Sequence, residues 1–298
     1  MKIPYFPGCS LKTSSNNFEK SAIATGEVLD IEFVELPRWN CCGVVSSLTN
    51  DDLMHHLAPV RNFVRVLDMN KEGLVENENR LLTLCSMCNN TLKRSNQRVQ
   101  ENKEELDALN DFMYKETEYD GSVDVVHYLE ILRDLGFEKV KEKVKVDLSN
   151  LNVAAYYGCM LIRPKEVGID DPETPRVFEN LVSSLTANPV EWRAKIQCCG
   201  SYLTVNKEDL VVNMSYKILE DAKQNGADII VTTCPLCAFN LDNRQKQMKK
   251  KHLDFKTIPV LYFTQLMAVA FGLGEEEMAF DMNYIDPVPI LKEKKILE

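Results

Sequence analysis

The chain has 298 residues, enough for two domains of about 150 residues each, and its 45% hydrophobic and 27% charged residues are ordinary for a folded protein. Its net charge of −10 argues against binding to nucleic acid or to an anionic membrane surface. No apolar stretch reaches the roughly 18 residues that a membrane span requires, and no secretory signal follows Met1, so a cytoplasmic protein is expected.

Strand and helix patterns alternate through the first half of the chain. Apolar stretches predict four buried strands, at 2–6, 31–36, 80–84 and 123–127. Apolar residues spaced by three and four predict helices over 18–29 and 53–67. Pro59 is expected to kink the second of these helices or to mark its start.

The second half repeats the same order of elements. Strands are predicted at 151–157, 228–233 and 258–262, with helices over 178–185 and 210–218. Such alternation predicts an α/β fold of two tandem, similar, Rossmann-like domains with mainly parallel sheets. The domains are predicted at 1–137 and 151–298, with the charged segment 138–150 as the linker between them.

Ten cysteines fall into two sets of five with the same pattern, Gly-Cys, then Cys-Cys-Gly, then Cys-x-x-Cys. The first set is Cys9, Cys41, Cys42, Cys85 and Cys88. The second set is Cys159, Cys198, Cys199, Cys234 and Cys237. Because most of these cysteines follow predicted strands, and parallel strands end at one edge of their sheet, each set is expected to converge. The two sets are expected to face a common cleft.

Four kinds of site use cysteines in such numbers. Disulfides are disfavoured, because the adjacent Cys41 and Cys42 cannot easily bond each other and the cytoplasm is reducing. Structural zinc takes four ligands, which five cysteines in each set match poorly. A thioredoxin-like dithiol at each Cys-x-x-Cys would leave six cysteines without a role. An iron–sulfur group accounts for all ten. Each set has five thiolates, whereas a cubane cluster takes four thiolate ligands. The fifth thiolate could bridge two irons or bind a cluster of opened shape, and the sequence does not choose between these two arrangements.

The doubled pattern, with the motifs NCCG at 40–43 and QCCG at 197–200, resembles the cysteine-rich CCG domain family. Over nearly its whole length the chain resembles the B-type subunits of heterodisulfide reductases. The resemblance implies two noncubane [4Fe-4S] clusters, each held by the five cysteines of one set, through which these cysteines would act in catalysis. It also implies reduction of a small mixed disulfide, such as that of coenzymes M and B, to two thiols.

The resemblance further implies that the chain works in a complex. An A-type partner that carries flavin and iron–sulfur clusters and a ferredoxin-like C-type partner would supply the electrons, with hydrogenase or formate dehydrogenase as further partners. No G-x-G-x-x-G motif and no P-loop is present, so neither flavin nor nicotinamide is expected on this chain. The alternative is an electron-transfer subunit of another dehydrogenase or quinone-linked redox complex.

Two basic residues of the second half, Arg163 and Lys165, are predicted to bind an anionic part of the substrate. Arg and Lys pair well with sulfonate, phosphate and carboxylate groups. Offsetting the cluster charge and plain solvation are the alternatives for both side chains. His55, His56 and His127 are candidates for supplying a proton to a leaving thiolate.

Overall fold

The computed structural model describes residues 1–44, 53–75 and 78–298. Within these residues the chain forms two sheets of four parallel strands. The first sheet contains β1 (Lys2–Phe6), β2 (Glu32–Glu35), β3 (Arg80–Thr83) and β4 (Asp124–His127). The second contains β5 (Asn152–Tyr156), β6 (Asn188–Pro189), β7 (Ile229–Thr232) and β8 (Val260–Tyr262). Their orders, β2-β1-β3-β4 and β6-β5-β7-β8, are the same.

Helices connect the strands of the first sheet and cover its faces. They are α1 (Gly8–Leu11), α2 (Asn16–Val28), α3 (Leu57–Lys71), α4 (Ser86–Glu101), α5 (Lys103–Phe112), α6 (Tyr128–Leu135) and α7 (Phe137–Lys141). A 3₁₀ turn over Leu53–His56 leads into α3. Pro59 lies in the first turn of α3, where proline removes no intrahelical hydrogen bond, so it marks the start of this helix.

The second sheet is covered in the same way. Its helices are α8 (Val177–Ser184), α9 (Glu208–Gln224), α10 (Pro235–Ala238), α11 (Gln245–Lys251), α12 (Phe263–Ala270), α13 (Glu275–Met278) and α14 (Val288–Glu293). A π-helical turn over Phe239–Asn243 joins α10 to α11. Further 3₁₀ turns lie at Ala194–Ile196, Ser201–Leu203 and Phe280–Met282.

These sheets confirm the predicted fold class, two similar α/β units with parallel strands. The short strand β6 was not predicted, because two residues that include Pro189 give no strand pattern and proline is confined to sheet edges. The predicted linker, 138–150, begins inside α7, and the N–H groups of Lys145 and Val146 both donate to the Ala270 carbonyl. The domain boundaries themselves remain a prediction.

An aromatic cluster joins the two units. Helix α2 of the first unit packs on α12 of the second, and α8 of the second packs on α6 of the first, which is a pseudo-twofold arrangement. At its centre the Phe263 ring lies 5.8 Å from Phe18, 5.9 Å from Phe178 and 5.9 Å from Tyr128. Phe18 also stacks on Tyr262 at 4.2 Å between ring centroids. All five rings are buried, so the interface is apolar at its centre.

The carboxyl-terminal segment is held by one buried carboxyl group. Asp242, in the π-helical turn, accepts hydrogen bonds from the N–H groups of Tyr284 at 2.7 Å and Ile285 at 3.0 Å. Burial raises the pKa of Asp242 to about 7, against the opposing effect of these two donors. This side chain therefore changes charge close to neutral pH.

Replacement of Phe18 by alanine tests whether the aromatic cluster holds the units together. Phe18 is fully buried between the units, so we expect Phe18→Ala to lower the free energy of unfolding by about 3–5 kcal/mol. Phe112→Ala removes the same side chain from a position that is 60% exposed, and should cost less than about 0.5 kcal/mol. Equal thermal unfolding midpoints for the two variants would contradict this account of the interface.

Replacement of Asp242 by asparagine tests the buried carboxyl group. Between about pH 4 and pH 7 the folded chain keeps a proton on Asp242 that the unfolded chain has lost, so stability should fall as the pH rises through this window. Asp242→Asn cannot titrate and should lose this part of the slope of thermal midpoint against pH. The matched control, Asp111→Asn, changes an exposed side chain and should follow the wild type. A slope unchanged in Asp242→Asn would exclude the assignment.

Candidate metal centre

The first set of cysteines lies at the carboxyl edge of the first sheet. Cys9 is in α1, directly after β1, and Cys41 and Cys42 follow β2. Cys85 precedes the first residue of α4, and Cys88 lies in the first turn of that helix. Cys9 and Cys41 are exposed, whereas the other three are buried. The strand ends thus deliver all five thiols to one edge, as parallel topology requires.

The second set repeats this placement on the second sheet. Cys159 follows β5, Cys198 and Cys199 follow β6, and Cys234 and Cys237 flank the start of α10. Cys159 and Cys198 are half-buried, and the other three are buried. Each set therefore has an outer pair of thiols and an inner group of three.

Glycine is required immediately before the first cysteine of each set. Gly8 and Gly158 have φ angles of +72° and +65°, which L side chains rarely adopt. A Cβ atom at Gly8 would lie 3.2 Å from the Sγ atom of Cys88, and one at Gly158 would lie 3.4 Å from that of Cys237. These glycines let the backbone pass close to an inner sulfur, which explains the Gly-Cys dipeptide of the sequence pattern.

The inner thiols of both sets form one continuous row across the interface. The Sγ atoms of Cys42 and Cys88 are 3.3 Å apart, and those of Cys199 and Cys237 are 3.4 Å apart. Interaction with the thiols of Cys234 in the other unit and of Cys88 in its own lowers the pKa of Cys85. Cys234 interacts in turn with Cys237.

Backbone and hydroxyl groups close the interface beside this row. The Ser86 N–H group donates to the Thr233 carbonyl at 3.2 Å, and the two hydroxyl groups of these residues are hydrogen-bonded to each other. Ser86 follows Cys85, and Thr233 precedes Cys234. The contact between the two cysteine sets is therefore fixed by the residues next to them in the sequence.

Hydrogen bonds between thiols set their relative acidity. A hydrogen bond from the Cys41 thiol, followed by one from Cys88, lowers the pKa of Cys42 to about 5. In the second unit a hydrogen bond from Cys159 lowers the pKa of Cys198 to about 6. The pKa of Cys41 rises because its proton is held by Cys42. Each unit therefore stabilises thiolate at neutral pH, the form that binds metals.

Two polar side chains contact a cysteine sulfur in the second unit. The Ser201 hydroxyl lies 2.9 Å from the Sγ atom of Cys199, and the Asn240 amide lies 3.5 Å from the same sulfur. Asn240 also donates to the Cys199 carbonyl and accepts from the Thr204 hydroxyl. Sequence reasoning missed both side chains. A position-by-position comparison of the two repeats would have singled them out, because the first repeat has Val44 and Thr91 instead.

The donor set fits an iron–sulfur group. All ten cysteines are free thiols, with no disulfide between them. Each set supplies five sulfurs at one sheet edge, and backbone N–H groups point at them, as that of Gly200 does at the Sγ atom of Cys198 over 3.3 Å. Thiolate ligands with N–H donors around them are the ordinary surroundings of iron–sulfur clusters.

A cavity of about 290 Å³ opens between the two units, and no cysteine lines it, although residues adjacent in sequence to Cys9, Cys234 and Cys237 do. Ser10, which follows Cys9, lines it from the first unit. Leu236, which lies between Cys234 and Cys237, lines it from the second unit together with Asp242. A second cavity between the units has a volume of only about 10 Å³, and Cys159, Cys234 and Cys237 line it.

The two cavities differ in the side chains that follow the cysteines in the sequence. Met87 and Met160 line the smaller cavity, and the residues at the equivalent positions of the other repeat, Leu236 and Ser10, line the larger one. Of these two, only the larger cavity has room for a small molecule.

The two predicted basic residues lie in the loop that follows Cys159 in the second unit. The Arg163 guanidinium donates to the carbonyl groups of Ile196 and Pro172 and pairs with Glu173 at 3.1 Å. Lys165 is exposed. The structure thus uses most of the Arg163 donors within the protein and leaves Lys165 at the surface.

Two of the three histidine candidates, His56 and His127, are buried and hydrogen-bonded, whereas His55 is half-buried and its Nδ1 atom has no hydrogen-bond partner among the described residues. His127 is fully buried, donates from Nε2 to the Leu84 carbonyl at 2.7 Å and accepts at Nδ1 from the Leu129 N–H. Burial lowers its pKa to about 3, so it stays neutral and the expectation that it supplies a proton is wrong. His56 is hydrogen-bonded to the Ser95 hydroxyl, and burial lowers its pKa as well.

Relatives of known name align with nearly the whole chain. The 8-methylmenaquinol:fumarate reductase membrane anchor subunit of Wolinella succinogenes is 33% identical over 284 residues, which are 95% of this chain and 96% of that protein. The B subunit of the ferredoxin/F(420)H(2)-dependent CoB-CoM heterodisulfide reductase of Methanosarcina acetivorans is 30% identical over 297 residues, 97% of this chain and 96% of that protein. A protein of Archaeoglobus profundus, named as similar to the heterodisulfide reductase B subunit, is 28% identical over 289 residues, 94% of this chain and 93% of that protein.

A solved structure shares the fold. The crystal structure of a hypothetical protein from Helicobacter pylori superposes with a TM-score of 0.73 at 14% identity, over 95% of this chain. This chain spans 51% of that protein's length. Among the residues that the structure describes, none of the helices has the length and apolar character that a membrane crossing requires.

The family assignment follows from the cysteine pattern and from its position in the fold. The model of the cysteine-rich domain family, CCG, matches twice, at residues 3–93 and 153–242. Each match spans three strands of one sheet and all five cysteines of one set. The chain belongs to the cysteine-rich domain (CCG) family and contains two copies of its domain.

Proposed function

We propose that this chain is the iron–sulfur subunit of an oxidoreductase complex and that it reduces a mixed disulfide to two thiols, as the B-type subunits of heterodisulfide reductases do. The observation that carries the proposal is the row of inner thiols, in which the two cysteine sets meet at the interface between the units. Relatives at 28–30% identity whose names refer to this subunit support it. The ten cysteines are the proposed metal ligands, five to each of two [4Fe-4S] clusters of noncubane type.

The chemistry asks for two electrons and two protons for each disulfide. When bound, an iron–sulfur group at each cysteine set supplies one electron, so the pair supplies the two that cleavage of a disulfide consumes. The cavity lined by Ser10 and Leu236, which are sequence neighbours of Cys9 and Cys237, is the proposed binding place of the disulfide. Asp242 lines the same cavity, and its pKa of about 7 lets it give a proton to a leaving thiolate near neutral pH.

Arg163 and Lys165 remain proposed contacts for an anionic part of the substrate that extends beyond the cavity, since neither residue lines it. Ion pairs between exposed groups contribute only about 0–1 kcal/mol, so a sulfonate, phosphate or carboxylate of the substrate can replace Glu173 on Arg163. Lys165 is exposed and makes no ion pair among the described residues, so its ammonium group can reach an anion directly. Electrons would come from a flavin-containing A-type partner and a ferredoxin-like C-type partner, with hydrogenase or formate dehydrogenase upstream. A cytoplasmic location is part of this proposal.

One relative favours a second candidate function. The Wolinella succinogenes protein, 33% identical over 95% of this chain, is named as the membrane anchor subunit of a quinol:fumarate reductase. On this alternative the same two cysteine sets pass electrons between a quinone and another protein of the complex, and no disulfide is cleaved on the chain. The two candidates differ in what oxidises the reduced protein, a disulfide or a quinone.

Two cysteine variants test the division of labour between the sets. Because each set is proposed to supply one of two electrons, Cys42→Ala and Cys199→Ala should each abolish disulfide-dependent oxidation of a reduced viologen dye, with a loss of more than about 100-fold in kcat. The measurement is anaerobic steady-state turnover, with iron determined for each variant. Lys165→Ala is the matched control, since it should alter KM and leave kcat within about twofold.

The outcomes separate the candidates. Near-wild-type turnover in a variant whose own iron is absent would refute the two-set mechanism. Reoxidation of the reduced wild-type chain by a soluble quinone, with no response to any of a panel of disulfides, would replace the disulfide proposal with the quinone-linked one.

A further inference from the structure

Among the described residues, the two cysteine sets differ in the side chains around one sulfur. Cys42 and Cys199 occupy equivalent positions, each followed by glycine. The next residue is Val44 in the first unit and Ser201 in the second. A valine side chain has no hydrogen to donate, whereas the Ser201 hydroxyl lies 2.9 Å from the Cys199 sulfur.

A second pair of equivalent positions differs in the same sense. Three residues after the last cysteine of each set are Thr91 and Asn240. The Asn240 amide is fully buried and 3.5 Å from the Cys199 sulfur. Thr91 is buried too, but among the described residues its hydroxyl has no hydrogen-bond partner. Both side-chain donors thus converge on one sulfur of the second set.

Metal binding increases the difference between the hydrogen bonds that the Cys42 and Cys199 sulfurs receive. Without metal, Cys42 is hydrogen-bonded by the thiols of Cys41 and Cys88. These S–H protons are lost when the thiols become thiolate ligands, because metal binding releases protons. The O–H of Ser201 and the N–H of Asn240 are not lost. Backbone N–H donors, such as that of Val44 toward Cys42, exist in both units and do not distinguish them.

We infer that Ser201 and Asn240 raise the reduction potential of the iron–sulfur group at the second cysteine set above that at the first. A hydrogen bond to a ligand sulfur stabilises the more negative, reduced form more than the oxidised form. One electron supplied by a reduced dye or by a partner protein therefore resides on the second set, and the first set is reduced only at lower potential. This inference rests on the proposed function, since it requires an iron–sulfur group at both sets.

A redox titration of the whole chain tests the inference. Anaerobically prepared protein is titrated with dithionite and mediator dyes, and each reduced centre is followed by electron paramagnetic resonance. Cys199→Ala identifies the signal of the second set by its loss. Ser201→Val should lower the reduction potential of the second centre alone. The expected shift is about 59 mV, which for one electron is a tenfold change in the ratio of reduced to oxidised centre at a given potential.

Matched variants separate hydrogen bonding from structural damage. Ser201→Thr keeps the hydroxyl and should retain the wild-type reduction potential at the second set. Val44→Ser supplies a hydroxyl in the first unit and should raise the reduction potential of the first set. If Ser201→Val does not fold, Ser201→Ala and Val44→Ser give the same comparison.

Three results would overturn the inference. Equal potentials in the wild type would do so, as would a Ser201→Val protein with full iron content and unshifted potentials. A wild-type chain that holds no iron would remove the proposed function and the inference with it, and the iron determination distinguishes this result from the other two.

Discussion

The packing of the two repeats through one aromatic cluster determines where every other part of the site can lie. Phe18 and Tyr128 from the first unit meet Phe178 and Phe263 from the second. Because the contact is pseudo-twofold, it turns the carboxyl edges of both sheets toward each other. The Cys-x-x-Cys ends of the two units then meet, where Ser86 is hydrogen-bonded to Thr233 and the thiols of Cys85 and Cys234 interact. A chain with one repeat would have neither the row of thiols nor the cavity beside it.

The two repeats share their backbone arrangement and differ in a few side chains near the cysteines. Both units place five thiols at the ends of parallel strands, and both use a positive-φ glycine where the backbone passes an inner sulfur. The units differ beside the cavities between them, where Ser10 lines the larger cavity and Met160 the smaller one. They differ again at Ser201, whose hydroxyl is replaced by the methyl groups of Val44 in the first unit. The two cysteine sets therefore share a backbone arrangement and differ in the side chains around it.

Local patterns in the sequence were enough to predict the fold and the convergence of the cysteines. Strands and helices follow from apolar spacing, and thiols after parallel strands must share an edge. The contact between Cys85 and Cys234 could not be predicted, because it depends on aromatic side chains from four separate elements. The structural roles of His127 and Arg163 could not be predicted either. Both side chains donate to backbone carbonyl groups, and a sequence pattern does not indicate such contacts. The special position of Ser201 could have been predicted by aligning the two repeats, because Val44 stands at the equivalent position.

The content of iron and acid-labile sulfide in the anaerobically prepared chain tests the central claim most directly. Two sets of five thiolates, each holding a four-iron cluster, predict about eight irons and about eight sulfides per chain. The Cys199→Ala protein should then contain about half of each. Stoichiometric zinc with little iron and no labile sulfide would contradict the account, and would leave the two cysteine sets as structural metal sites.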